Sequence, residues 1–348
     1  MKIVRHISVT DAILSSSNVV ETPPAAYNAG TTYATGNQVS VFGGPSNTTA
    51  TLYESLQDSN TGNTPASSPA WWQPIGTAYL AYSGATSYAA DAIVTDTTNH
   101  KLYQSLFGSN SGNALTDTDW WLELGPSNRW AMFDMKTGTQ TTRPLSVSST
   151  LDVSGRIDTV ALFNLDGASV NVTMLDGATE VHNEDYSLVS TDGIADWFSY
   201  FFEPIVRKTE LLVTGLPNTL DPSLTATVTD TDNVSVGAFV AGLALYVGAT
   251  QYGARVGITD FSRKTQDDFG NWYIVERSYA KRGNFTVWIE QAYSDQIFNT
   301  LSSYRATPLA LIGADEFAST YYYGILKDWN IEISYPSHHI ATIEVEGL

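Results

Sequence analysis

The sequence predicts a mainly β protein: two small tandem β modules, then a jelly-roll-like β-sandwich region carrying one helix. Three observations lead there. A unit of about 50 residues occurs twice before residue 126, a period that marks repeated supersecondary units. Short runs of alternating apolar and polar residues, punctuated by Gly, Asn, Ser and Pro, fill most of the chain. Only one segment shows a helical period together with stop and start signals.

Composition narrows the function classes. The chain has 348 residues, of which 43% are hydrophobic, enough for a substantial core. It has no cysteine, which excludes disulfides, thiol catalysis and thiolate metal sites. Net charge is −19, and no Lys or Arg occurs between Arg5 and Lys101. Phosphate backbones are gripped by such cations, so nucleic acid is excluded as a partner and an anionic membrane would be repelled. A polymer held by residues 1–126 should be neutral and held by stacking and hydrogen bonds.

In chain order, residues 1–24 form an apolar N-terminal arm suited to pairing with the sheet edge of another subunit. No continuous apolar signal segment is evident in it. Residues 25–76 and 77–126 are the two modules. Tyr27 and Tyr33 align with Tyr82 and Tyr88, "LYESLQDSNTGN" with "LYQSLFGSNSGN", and "WWQPIG" with "WWLELG". Neighbouring strand residues face opposite ways, so one tryptophan of each pair is buried and the other offered to solvent.

The region 127–348 is the sandwich, either one domain or two divided near residue 220. Hairpins are expected about Asp166-Gly167 and about Gly283-Asn284. The helix runs from Ser294 to Arg305, with Ile297, Phe298, Leu301 and Tyr304 on one apolar face and Pro308 beyond its end. The charge-free stretch Asn233–Ala254 has an apolar heart shorter than the ~20 residues of a spanning helix and reads as buried strand.

No catalytic signature stands out. Metalloprotease, nucleophile-elbow and phosphate-loop spacings are absent. His338-His339 reads as a polar strand segment rather than a metal site, and no cofactor is expected. A polysaccharide-active enzyme would need a carboxylate pair, for which Asp192 with Asp196, Asp230 with Asp232, and Asp267 with Asp268 are the candidates. The aromatic run Trp197, Phe198, Tyr200, Phe201, Phe202 reads as core or inter-subunit packing.

On Tyr27, Tyr33, Gly36, Val39, Tyr53 and Trp72, and on Tyr82, Tyr88, Val94, Tyr103 and Trp121, each repeat resembles the small chitin/cellulose-binding-type module of carbohydrate-binding families 5 and 12. Asp91, Ser55 and Ser105 depart from that pattern. The resemblance implies carbohydrate-binding residues at Trp72, Trp121, Tyr33, Tyr88, Tyr53 and Tyr103. Trp72 and Trp121 would be the exposed stacking platforms, with Trp71 and Trp120 turned inward.

The wider order is similar to tail or baseplate proteins of tailed bacteriophages. It comprises "ISVTDAILSSSNVVE", the modules, "GPSNRWAMFD", "GATQYGARVGITDFSRKTQDDFGN" and the closing "YYYGILKDWNIEISYPSHHIATIEVEGL". That resemblance implies a non-enzymatic virion subunit, assembled in the bacterial cytoplasm and homo-oligomeric. The sandwich would dock on other tail subunits, and the modules would meet a host-surface glycan or brace neighbours. The alternative is a polysaccharide-active enzyme with appended binding modules.

Overall fold

A computed structural model describes residues 1–191, 194–204 and 206–348. The chain is mainly β, built from several antiparallel sheets with two α-helices among the described residues. None of its described helices is long and apolar enough to cross a membrane.

After β1 (Lys2–Arg5) and β2 (Leu14–Ser17), the first module is a three-stranded sheet of β3 (Gln38–Gly43), β4 (Thr49–Ser55) and β5 (Trp72–Tyr79). The second repeats it with β6 (Ile93–Asp96), β7 (Lys101–Ser105) and β8 (Trp121–Pro126). Identical bridges close both, Tyr33 to Asn60 and Tyr88 to Asn110. Because β5 continues to Tyr79, the expected boundary at residue 76 falls inside a strand.

The large region begins with β9 (Thr141–Asp152), β10 (Thr159–Asp166), β11 (Ser169–Asp176) and β12 (Thr179–Ser187). Helix α1 (Trp197–Phe202), β13 (Glu210–Thr214) and the 20-residue β14 (Ser223–Gly242) follow. Strand β14 is the spine of the first sheet. It pairs β9 along one side, and β11 then β10 along the other. Since its partners precede it in sequence, the division considered near residue 220 does not occur.

The expected hairpin at Asp166-Gly167 is corrected by the same register. Both β10 and β11 run antiparallel to β14, so the chain continues past Gly167 instead of reversing. Glycine is needed there for close approach: a Cβ would stand 2.6 Å from Val228 Cγ1.

The second sheet takes β15 (Ala244–Tyr246), β16 (Ala249–Thr250) and β17 (Arg255–Asp260), while β18 (Arg263–Gln266) and β19 (Trp272–Val275) pair only with each other. It continues with β20 (Tyr279–Glu290), helix α2 (Ser294–Ser303), β21 (Leu309–Ile312), β22 (Tyr321–Glu332) and β23 (His338–Gly347). The second expected hairpin is also displaced. Gly283-Asn284 lies inside β20, where a Cβ on Gly283 would meet Phe285 and Tyr322 at 2.6 Å. The turn instead joins β18 to β19.

Alternation assigns each face its layer. Val160 and Leu162 join the core beneath the first sheet, while Ala161 and Phe163 meet Val4, Ala310 and Ile312 between the two sheets. On the far side, Ile3, Leu309 and Leu311 pack with Ile297 and Leu301 of α2. That helix begins at Ser294 as expected and ends at Ser303, two residues short of Arg305, with Ile297 and Leu301 buried and Phe298 exposed. The N-terminal arm, expected to pair with another subunit, is paired within its own chain. Its strand β1 is held between β15 and β21, and β2 lies on β9, all within one chain. Its apolar Ile3 and Val4 are buried on opposite faces, which an isolated arm could not achieve.

Candidate functional site

The equivalent cores of the two modules place every candidate residue. In the first, Tyr27 and Tyr33 stack at 5.9 Å, and Trp72 meets them edge-on at 5.9 and 5.2 Å. In the second, Tyr82 and Tyr88 stack at 6.1 Å, with Trp121 edge-on at 5.7 and 5.4 Å. Each indole is anchored through its N–H: Trp72 Nε1 donates to the Asn63 carbonyl at 2.8 Å, and Trp121 Nε1 to that of Asn113 at 3.1 Å.

This reverses the expected roles within each pair. Trp72 is 1% exposed and Trp121 2%, so neither can present a stacking face. Trp71 and Trp120 hold the half-buried, outward positions instead. Strand parity says that neighbours point apart, but not which one points in. The choice is made by register: Trp72 opposes Ser55, and Trp121 opposes Ser105, in line with the asparagine carbonyls that take the indole protons.

Tyr33 and Tyr88 are buried too, each hydroxyl accepting a backbone N–H at 2.8 Å, from Asn28 and Ser83. Tyr53 and Tyr103 are half-buried at the flank of the clusters. All six residues are thus brought together, three per module: Tyr33, Trp72, Tyr88 and Trp121 as core, Tyr53 and Tyr103 packed against it.

Sequence reasoning missed the polar half of the arrangement. Asn60 and Asn110 are wholly buried, each Nδ2 donating to Ser55 or Ser105 Oγ at 2.9 Å. Their Oδ1 atoms accept from Asn63 and Asn113 Nδ2 at 2.9 Å. The signal was present, since Ser-Asn and Gly-Asn stay in register between the repeats. The Ser55 and Ser105 hydroxyls thus serve as acceptors for buried amides.

Of the two modules, the second carries a solvent-facing aromatic surface. Phe107, 57% exposed, meets Trp120 edge-on at 5.8 Å beside exposed Leu106 and Leu122. In the first module Gln57 takes the place of Phe107 and donates to the Ala70 carbonyl at 2.8 Å.

Polar contacts fasten the modules. Glu21 accepts from Ser127 Oγ at 3.0 Å and Trp130 Nε1 at 3.2 Å, and its carboxylate lies 3.0 Å from His100 Nδ1. Arg143 Nη2 donates to Glu54 Oε2 at 2.6 Å, tying β4 to β9. Ser46 Oγ accepts from Ala89 N at 2.6 Å, joining the modules to each other.

Three of the candidate carboxylates, Asp196, Asp230 and Asp267, have structural roles. Asp196 caps α1, accepting from Ser199 N at 2.8 Å, and this hydrogen bond lowers its pKa; Asp192 lies outside the described residues. Asp230 pairs with Arg207, which lowers its pKa. Asp267 turns the β18–β19 hairpin, with hydrogen bonds from Asn271 holding its carboxyl low. A general acid needs the opposite shift. His338 stacks on Tyr335 and His339 is buried, so the pair faces opposite ways. No three His, Cys, Asp or Glu among the described residues are grouped to hold a metal ion.

The aromatic run forms a helix that was not expected. All five rings of α1 stand 60–78% exposed, with only Ser199 buried. No family model, curated protein or solved structure matches the chain.

Proposed function

We propose that the chain is a non-enzymatic structural subunit of a bacteriophage tail tip or baseplate, with its two modules bracing the particle. The observation carrying this reading is α1. Five large rings on six residues lie in water, a patch that soluble monomers rarely leave uncovered. The modules suit bracing, since their rings form cores and buried polar contacts fix them to the body. Replacing Phe198, Phe201 and Phe202 with serine should abolish incorporation into particles while the chain stays folded by circular dichroism. Normal incorporation of the triple variant would remove the basis for the proposal.

A second reading, host-surface attachment through a neutral glycan, is favoured by the Trp120–Phe107 surface. Aromatic contacts contribute about 0.5–1.5 kcal/mol each beyond their area, so Phe107→Ala with Trp120→Ala should weaken adsorption of the whole protein to host cells about tenfold. Unchanged adsorption would leave bracing as the sole role of the second module.

A further inference from the structure

Between residues 255 and 279 nearly every side chain is in solvent; only Thr259, Ser262 and Asp267 are partly covered. Strand β17 pairs with the first half of β20, and β18 and β19 extend it as an isolated two-stranded ribbon. A lone two-stranded ribbon is marginally stable in water. Yet β19 reads Trp-Tyr-Ile-Val, four consecutive large apolar residues, all exposed. A strand with one wet face alternates, whereas a continuous apolar run belongs to a strand covered on both faces. Phe269 at the turn is 92% exposed. The ribbon is therefore shaped for a partner.

Charge indicates which partner. Residues 255–282 contain six of the chain's 17 Lys and Arg and only four of its 36 acids. Arg255, Arg263 and Arg277 have no ion-pair partner among the described residues. Elsewhere in the same chain, residues 157–206 hold nine acids and no Lys or Arg. That segment presents β12, the edge strand of the first sheet, with exposed Glu180, Glu184 and Asp185. It also presents the uncovered rings of α1. A cationic aromatic ribbon and an acidic aromatic edge are complementary in charge and in apolar character.

We propose that the β17–β19 ribbon of one copy docks on the β12–α1 surface of a second copy, head to tail. The donor and acceptor patches differ, so the contact is heterologous and repeats until a ring closes. Opposite charge sets the register, the rings supply buried area, and the open edge of β12 offers backbone groups for strand pairing. The proposal deepens the assembly reading by naming one interface, and it can be tested on purified protein without particles.

The experiment is analytical ultracentrifugation of the full chain and two charge-reversed variants, alone and mixed. One carries Arg263→Glu and Arg277→Glu; the other carries Glu180→Lys and Asp185→Lys. The wild type should self-associate, and each variant alone should dissociate at least tenfold more readily, because the ribbon and the β12 strand it meets then carry one sign. Arg263→Glu with Arg277→Glu takes the ribbon from +2 to −2 against a β12 of −3, and Glu180→Lys with Asp185→Lys takes β12 from −3 to +1 against a ribbon of +2. Mixing the two restores opposite charge at every contact between unlike variants and should restore assembly. That recovery could not come from misfolded chains.

A monomeric wild type, variants that assemble as well as the wild type, or a mixture that stays dissociated would each overturn the pairing. If a variant fails to fold, Arg263→Gln with Arg277→Gln replaces the ribbon reversal, and unweakened association would again overturn it. Particle incorporation is scored separately. A chain that enters particles although these patches do not pair leaves the assembly reading standing, while one that pairs but never enters particles refutes that reading alone.

Discussion

Trp121→Ala is expected to unfold the second module while the body stays folded. The fully buried apolar set of that module is Tyr88, Ala92, Val94 and Trp121, so the indole is its largest component. Removing a buried Trp or Phe costs about 3–5 kcal/mol, and the whole stability of so small a unit without disulfides is about that size. The loss also leaves the Asn113 carbonyl without its indole donor.

Trp72→Ala should be milder at the level of unfolding. The first module has a second apolar cluster, Ala50, Leu52, Ile75 and Ala78, packed with Val20 of the N-terminal segment. Limited proteolysis with hydrogen exchange reads the result. Cleavage confined to residues 80–126 in Trp121→Ala, and intact neighbours, is the expected pattern. Trp71→Ala and Trp120→Ala should cost much less, because those rings are already half in water. If Trp120→Ala proved the more damaging of its pair, the inward assignment of Trp121 would be wrong.

The same pairs show how far the sequence could be read. The repeat, the β class, α2 and the rule that one ring of each pair is buried all follow from local pattern. Which ring is buried depends on Ser55 lying opposite on β4 and on the Asn63 carbonyl in the connection between β4 and β5, relations that strand parity does not contain. Glycine misled in a consistent way. Gly167 and Gly283 look like turn formers, yet both serve close packing, against Val228 and against Phe285 and Tyr322. A glycine in sequence marks either demand, and only the neighbours distinguish them. Strand β1 was legible as apolar, but its place between β15 and β21 rests on pairings with residues some 240 to 310 positions away. The exposed α1 was the least legible, because an aromatic run in water has the same local pattern as one in a core.

Glu54→Ala is expected to free the first module from the body. Arg143 is 7% exposed on its side chain, and Glu54 Oε2 is its one anionic partner among the described residues, at 2.6 Å. Its other contacts, the Pro144 and Ser146 carbonyls and Ser146 Oγ, are long, at 3.3–3.4 Å. Taking away the carboxylate leaves a guanidinium buried with only these neutral acceptors. Breaking a buried pair this way costs about 3–5 kcal/mol, and the lower end applies because the Glu54 side chain is 29% exposed.

The penalty falls where β4 and β9 meet, so it should appear as faster hydrogen exchange in residues 49–55 and 141–146 and as a wider range of module positions in small-angle scattering. The double variant Glu54→Leu with Arg143→Met removes both charges and keeps comparable volume. It should regain most of the stability, since the cost arises from an uncompensated charge rather than from lost attraction. Full additivity of the two single effects in a double-mutant cycle would show that the residues do not act as a pair. Recovery of stability while the wider range of module positions persists would assign the pair to fixing the module's orientation, which is what a brace requires and a freely tethered adhesin does not.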